Sequence, residues 1–270
     1  MRVDPKGFLM LIDTHVHLNH DDLLQHGDGL AAVLERAGAA GVGGFVVIGY
    51  DLASSERAAA LAEGDARVWA AVGVHPHDAS SWSEEAASRL RGLLRRERVV
   101  AVGEIGLDFY RNLSPVAAQE RAFRAQLELA EETGRPVVIH CRDAWDETLE
   151  MLERPVPVLP VVLHCFGGTM AHARRAWQRG WFLGIGGTVT FKKSDALREI
   201  VRAAPRECVL LETDAPYLSP VPFRGRYPNE PARVAEVAGV VADLWGVDAA
   251  EVAAITTENA RRAFPRMSAS

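Results

Sequence analysis

Six of the nine histidines in this 270-residue chain close short apolar runs. His15 and His17 end Leu11-Ile12-Asp13-Thr14-His15-Val16-His17. His75 and His77 follow Val72-Gly73-Val74. His140 ends Val137-Val138-Ile139, and His164 ends Val161-Val162-Leu163. His20, His26 and His172 fall in helices or loops. Strand side chains alternate faces, so Asp13, His15 and His17 share one, and the two imidazoles can converge on a single metal ion. An isolated His-x-His also fits a polar strand end or a satisfied core histidine. The apolar lead-in argues for ligands, because burying three polar groups without partners is costly.

Carboxylates complete the pattern. Glu104 ends Val99-Val100-Ala101-Val102-Gly103 and stands between glycines. A turn carboxylate bonded to backbone amides is the competing reading. Glu212 and Asp214 share a face after Leu210-Leu211, and two carboxylates so close need a cation or a proton. A metal supplies that charge, as would Arg224 or Arg226. The candidate ligands are therefore His15, His17, Glu104, His140, His164 and Asp214. Nitrogen and oxygen donors without thiolate suit Zn, Mg, Mn, Ni or Fe. Six side chains exceed one open site and suit two divalent metal ions, with Glu104 bridging. Such a pair generates a metal-bound hydroxide at neutral pH and favours an anionic substrate. Asp214 is the candidate to orient that water and take its proton.

Cys141 and Cys165 follow ligand histidines, but alternation turns them away, and with Cys208 they read as buried structural thiols. Three cysteines make no disulfide framework, and reduced thiols fit a cytoplasmic location.

The elements that must position these groups alternate regularly. Strands are expected at Phe8–Val16, Phe45–Tyr50, Arg67–Val74, Val99–Glu104, Pro136–His140, Val161–His164, Trp181–Gly187 and Cys208–Thr213. Helices are expected at Asp22–Ala40, Ser54–Glu63, Ser83–Arg96, Pro115–Thr133, Trp145–Glu153, Thr169–Gln178, Ser194–Ala204 and Pro231–Trp245, with an extra C-terminal helix at Ala249–Phe264. Eight such units predict an α/β fold, a single-domain (β/α)8 TIM barrel over residues 1–266, with 267–270 a disordered tail. An open doubly wound sheet would carry a Gly-rich turn between strand and helix. Gly41-Val42-Gly43-Gly44 precedes a strand instead. In a barrel the C-terminal strand ends carry the active site, where the six histidines fall.

Composition sets outer limits. The chain is 48% hydrophobic and 24% charged, with a net charge of −6. That excludes a bulk basic nucleic-acid coat but not a local basic groove. No run approaches the ~18 apolar residues of a membrane span. The apolar run Phe8–Ile12 is too short for a secretory core.

The motifs also resemble a known family. Asp13-Thr14-His15-Val16-His17-Leu18, Gly73-Val74-His75-Pro76-His77, Gly103-Glu104-Ile105-Gly106-Leu107-Asp108-Phe109-Tyr110, His140-Cys141-Arg142-Asp143-Ala144, His164-Cys165-Phe166 with Gly168, and Glu212-Thr213-Asp214-Ala215-Pro216-Tyr217-Leu218 are similar to those of TatD-family metal-dependent hydrolases. Asn229-Glu230-Pro231 and Thr257-x-Asn259 match as well. The resemblance implies an amidohydrolase-type TIM barrel and a divalent-metal DNase, with 3′–5′ exonuclease activity or DNA-repair roles in several members. It implies the same six ligands, and site roles for His75 and Glu212 beside Glu104 and Asp214. One departure is Gly167, where the family usually has Ser or Thr.

DNA as substrate, single-stranded or at its 3′ ends, calls for cations and stacking platforms. Arg111, Arg142, Lys192, Lys193, Arg224 and Arg226 are the candidate phosphate contacts. Tyr110, Phe166, Phe191 and Tyr217 are the candidate platforms. The alternative activity is ester or amide hydrolysis at the same site, including aminoacyl-tRNA deacylation. A non-enzymatic metal-binding scaffold is the third reading, and a monomer is expected.

Overall fold

The computed structural model describes residues 10–25, 27–153 and 159–268. Eight strands run in chain order, each parallel to the next: β1 (Leu11–Val16), β2 (Val42–Ile48), β3 (Val68–Val72), β4 (Val99–Asp108), β5 (Val137–Arg142), β6 (Val161–Leu163), β7 (Phe182–Ile185) and β8 (Val209–Leu211). Helices cover the outside: α1 (Asp21–Leu24), α2 (Gly29–Ala39), α3 (Leu52–Gly64), α4 (Glu84–Leu94), α5 (Val116–Thr133), α6 (Trp145–Glu153), α7 (Met170–Gln178), α8 (Asp195–Ala203), α9 (Val234–Trp245) and α10 (Ala249–Ala263). This is the expected single-domain (β/α)8 barrel with its added C-terminal helix.

The alternation of the strands builds two cores. Val46, Ile48, Ala71, Val138, Val162, Phe182 and Leu210 cluster inside the barrel, plugged by Ala260, Phe264 and Met267. Their neighbours Val47, Val72, Val137, Ile139, Val161, Leu163 and Leu211 face the helices. Burying both faces is why these strands read as continuous apolar runs.

The last strand meets the first through a seam of specific bonds. The Asp214 amide donates to the His15 carbonyl (2.9 Å). The Thr14 hydroxyl donates to the Leu211 carbonyl (3.0 Å). The Asp13 carboxylate accepts from the Thr213 amide (3.0 Å) and hydroxyl (2.6 Å). Below the seam, Thr257 of α10 donates to the Met10 carbonyl (3.0 Å). Asn259 donates to the carbonyls of Arg206 and Val209 (2.8 Å each). The Thr257-x-Asn259 motif thus clips the final helix under both edge strands.

Several boundaries differ from expectation. The strand expected from Phe8 is described from Leu11, and Phe8 and Leu9 lie outside the described residues, as does His26. The helix expected over Asp22–Ala40 is two pieces, α1 and α2, separated around Gly27 and Gly29, the latter at φ +80°. β2 begins at Val42, so Gly43 and Gly44 lie within a strand. A Cβ on Gly43 would fall 2.7 Å from the Met10 side chain, and one on Gly44 3.1 Å from Trp69. The expected disordered tail does not begin at 267: Pro265–Ser268 form a 3-10 turn with Met267 buried, because its side chain closes the barrel floor. Residues 269–270 lie outside the described residues.

Candidate metal centre

Two residues beyond the interior layer, the same strand faces turn polar. Val138 is followed on its face by His140, Val162 by His164, and Leu210 by Glu212. β1 adds His15 and His17. A register shift between Asp13 and Val16 breaks its simple alternation, so Asp13 bonds Thr213 across the seam and does not join the histidines.

Glu104 is the hub. It lies inside β4, which runs on to Asp108 and does not end at Glu104. His140 Nδ1 stands 2.8 Å from its Oε1, and His75 Nε2 and His164 Nε2 each 3.7 Å from the same oxygen. His15 Nε2 stands 3.3 Å from its Oε2. The flanking glycines permit this. A Cβ on Gly103 would fall 2.6 Å from the Val138 side chain, and Gly106 (φ +143°) carries none because it would overlap the His140 carbonyl oxygen.

Asp214 forms a second focus. Its Oδ1 lies 3.4 Å from His17 Nε2, 3.8 Å from His15 Nε2 and 3.9 Å from His164 Nε2. The rings of His15 and His164 stack at 3.4 Å. Glu212 is fully buried behind them: its Oε1 lies 2.9 Å from His164 Nδ1 and accepts the Cys165 amide at 2.6 Å. Gly184 makes the room, since a Cβ there would overlap Glu212 Oε2. No arginine meets either carboxylate among the described hydrogen bonds and ion pairs; imidazoles do.

The electrostatics follow from burial against pairing. Burial would raise the Glu104 carboxyl, but His164, His15 and a hydrogen bond from His140 hold it well below the usual carboxylate range. Asp214 is lowered in the same way by His164, His17 and His15. His164, despite burial, is pushed up to about 10 by Glu212, Glu104 and Asp214. His15 and His75 go the other way, depressed first by burial and then by a neighbouring imidazole.

The donor set fits divalent metal. Among the described residues four groups have ligand atoms within 4.8 Å of one another: His15 with His17 and Asp214, His15 with Glu104 and His164, His75 with Glu104 and His140, and His164 with Cys165 and Glu212. His15 is fully buried, yet neither ring nitrogen makes a directed hydrogen bond. A buried imidazole without hydrogen bonds, aimed at two carboxylates, is satisfied by a cation between them.

Two flanking groups escaped the sequence reading. Asp108 is buried and accepts from His77 Nε2 (2.8 Å), His140 Nε2 (3.2 Å) and the Arg111 amide (2.7 Å). These partners, His140 foremost, hold it far below the usual range against its burial. Both residues stood in the Gly-x-His-Pro-His and Gly-Glu-Ile-Gly-Leu-Asp stretches. What was missing was the spacing that brings β3 and β4 together. Cys165 adopts a left-handed conformation (φ 43°) just past β6. Alternation therefore does not govern it, and its sulfur groups with His164 and Glu212. Its thiol is pushed well up by burial, which keeps it protonated.

The predicted substrate contacts divide. Arg142 and Tyr217 line the cavity over the centre, and Arg142 stacks on the exposed Tyr110 ring at 3.9 Å. Phe166 is only 1% exposed and packs on Trp145 at 4.7 Å. Its ring is packed into the core, with atoms among those lining the larger cavity beside the centre. Arg224 and Arg226 do not line the cavities over the centre; their guanidiniums lie over Phe191 and Phe223.

The family described as TatD related DNase matches residues 12–265. The chain belongs to that TatD family. It is 41% identical over 256 residues to an uncharacterized metal-dependent hydrolase, YabD, of Bacillus subtilis, covering 94% of this chain and 99% of that protein. It is 44% identical over 238 residues to the 3′-5′ ssDNA/RNA exonuclease TatD of Enterobacter lignolyticus, covering 86% and 92%. The crystal structure of YjjV, a TatD homolog from Escherichia coli, superposes with a TM-score of 0.88 at 34% identity, covering 94% of this chain and 98% of that one. The TatD motifs therefore sit on the TatD barrel. No described helix is long and apolar enough to cross a membrane.

Proposed function

We propose that this chain is a divalent-metal-dependent 3′–5′ exonuclease that hydrolyses phosphodiester bonds of single-stranded DNA. The observation that carries the reading is Glu104, a buried carboxylate facing four imidazoles beside an Asp214 that faces three. The name of the Enterobacter relative supports the substrate. His15, His17 and Asp214 would hold one divalent ion, and His140 and His164 the other, with Glu104 between them. Zn, Mn, Mg, Ni and Fe all suit these donors. Bound there, two such ions activate water and offset the charge that grows on the scissile phosphate.

The side chains have distinct assignments. Asp214 opens to the cavity with its side chain 13% exposed, whereas Glu212 is sealed. Asp214 is therefore the group we assign to accept a proton from the attacking water. Glu212 Oε1 lies 2.9 Å from His164 Nδ1, a charged contact that holds that ring with Nε2 toward the centre. The Nδ1 of His75 accepts the His77 amide (3.1 Å), so its Nε2 carries the hydrogen and can donate to a phosphate oxygen.

The test is a metal series on a 3′-labelled oligonucleotide. Chelation is expected to abolish cleavage, one or more divalent ions to restore it, and labelled mononucleotide to appear first. H15A and E104Q should lose the activity together. Faster turnover of carboxylic esters, amides or aminoacyl-tRNA than of the oligonucleotide would overturn the reading.

A further inference from the structure

The cavity over the centre has two lobes of opposite character. The smaller, about 370 Å³, is lined by His17, His20, Tyr50, His75, His77 and Asp78. The larger, about 670 Å³, runs past Trp145, Gly167, Thr188, Lys193 and Ser194. Arg111, Arg142 and Tyr217 form the wall between them, with His140, His164 and Asp214 below.

The charges on the two rims differ. Around the smaller lobe stand four carboxylates. Asp78 lines it, Asp51 follows Tyr50, and Asp21 and Asp22 follow His20. Asp22 also takes the Tyr227 hydroxyl hydrogen, and the Tyr217 hydroxyl lies 3.3 Å from His20 Nε2, so this rim is tied down. Arg57 brings one cation to it against Tyr50, while its Nε donates to the Asn19 carbonyl (3.0 Å). Around the larger lobe, Lys193 joins Arg111 and Arg142, with Lys192 beside it, against Asp143; Asp146 and Asp195 follow Trp145 and Ser194, but each is paired with an arginine, Arg175 and Arg198. The Arg142 guanidinium lies over the Tyr110 ring, which presents a cation and an aromatic side chain together.

A polyanionic strand gains from a basic path and is repelled by four carboxylates. We infer that the larger lobe carries the body of the nucleic acid strand and the smaller, acid-rimmed lobe admits one terminal nucleoside. The scissile phosphate then lies between them, over the imidazoles. This rests on the nuclease reading above and adds the course of the strand. The acidic rim blocks a second phosphate from continuing past the centre, so cleavage is confined to chain ends. Gly167 leaves the floor of the larger lobe without a side chain: a Cβ there would meet only the Cys165 carbonyl oxygen, at 3.8 Å.

The experiment uses metal-loaded protein and three substrates: a twelve-nucleotide single strand, the matching dinucleotide, and a single-stranded circle of the same composition. The wild type should prefer the longer strand to the dinucleotide in kcat/KM. K193E should shrink that preference at least about fivefold, and the salt dependence of KM on the long strand should flatten by about one unit of slope. R124E makes the same charge change on α5, away from the cavity, and should keep the preference. An unchanged preference in K193E overturns the inference. Cleavage of the circle at the rate of the linear strand also overturns it, because the acidic rim would then be passing a continuous strand. A wild type that cuts none of the three overturns the nuclease reading itself, and the strand path falls with it.

Discussion

In the lower half of the barrel Val138, Val162 and Leu210 face one another and exclude water completely. Two residues further along the same strands stand His140, His164 and Glu212, the last two as enclosed and His140 partly open to the cavity, and all three ionisable. The lower layer stabilises the fold by removing apolar area from water. The upper layer costs stability, because each charge there has lost its hydration and is compensated only by its neighbours. His164, held near 10 by three carboxylates, shows how far that compensation goes. Stability and chemistry are thus allotted to successive layers of one set of strands.

That separation can be broken experimentally, beginning with its largest expected consequence. E104Q should lower kcat/KM by more than about a hundredfold, beyond the range for outer partners of a ligand, and should lower Tm as well, because it removes the counter-charge of the buried imidazoles that face it. Steady-state kinetics beside calorimetry would check it, and a near-wild-type kcat/KM in this variant would contradict the layered view. L210A should act on stability alone. Emptying the interior should cost about 2–5 kcal/mol in denaturant unfolding, with kcat per folded molecule retained. D108N, which weakens the support of His140 and His77 without touching the interior, should reduce activity about ten- to a hundredfold. Metal titration by calorimetry should show weaker binding in the same variant. Y227F removes the exposed bond to Asp22 and should cost at most about 1 kcal/mol in stability. Its effect on kcat/KM should be smaller than that of E104Q or D108N.

The upper layer was more legible in the sequence than its surroundings. A histidine ending an apolar strand is chemically anomalous, because burial penalises it unless a partner waits. Four such anomalies, with Glu104 and Asp214, name residues that the fold brings within a few ångströms. What stayed hidden depends on how neighbouring strands are offset. Asp13 parts from His15 because β1 shifts register. Asp108 reaches His77 only because β4 outruns its expected end. Phe166 is apolar and follows a ligand, which in sequence describes a stacking platform and a core ring equally well. Gly43 and Gly44 look like a turn and are strand, since the reason for them lies in Met10, Ile12 and Trp69, more than twenty residues away on either side. The late motifs around Asn229 and Asn259 were legible as pattern but not as purpose. Both asparagines are buried clips, the first holding the loop that carries Tyr217.

The seam between β8 and β1 joins Asp13 to Thr213 across 200 residues of chain. Every histidine is synthesised before Asp214. A growing chain therefore carries most of its metal-binding side chains early, but lacks the carboxylate that faces His15, His17 and His164 until the ring can close. Completing the barrel and arming the hydrolase are one event. A fragment that stops short of β8 is disarmed by its own topology, a built-in safeguard for a protein whose proposed substrate is nucleic acid.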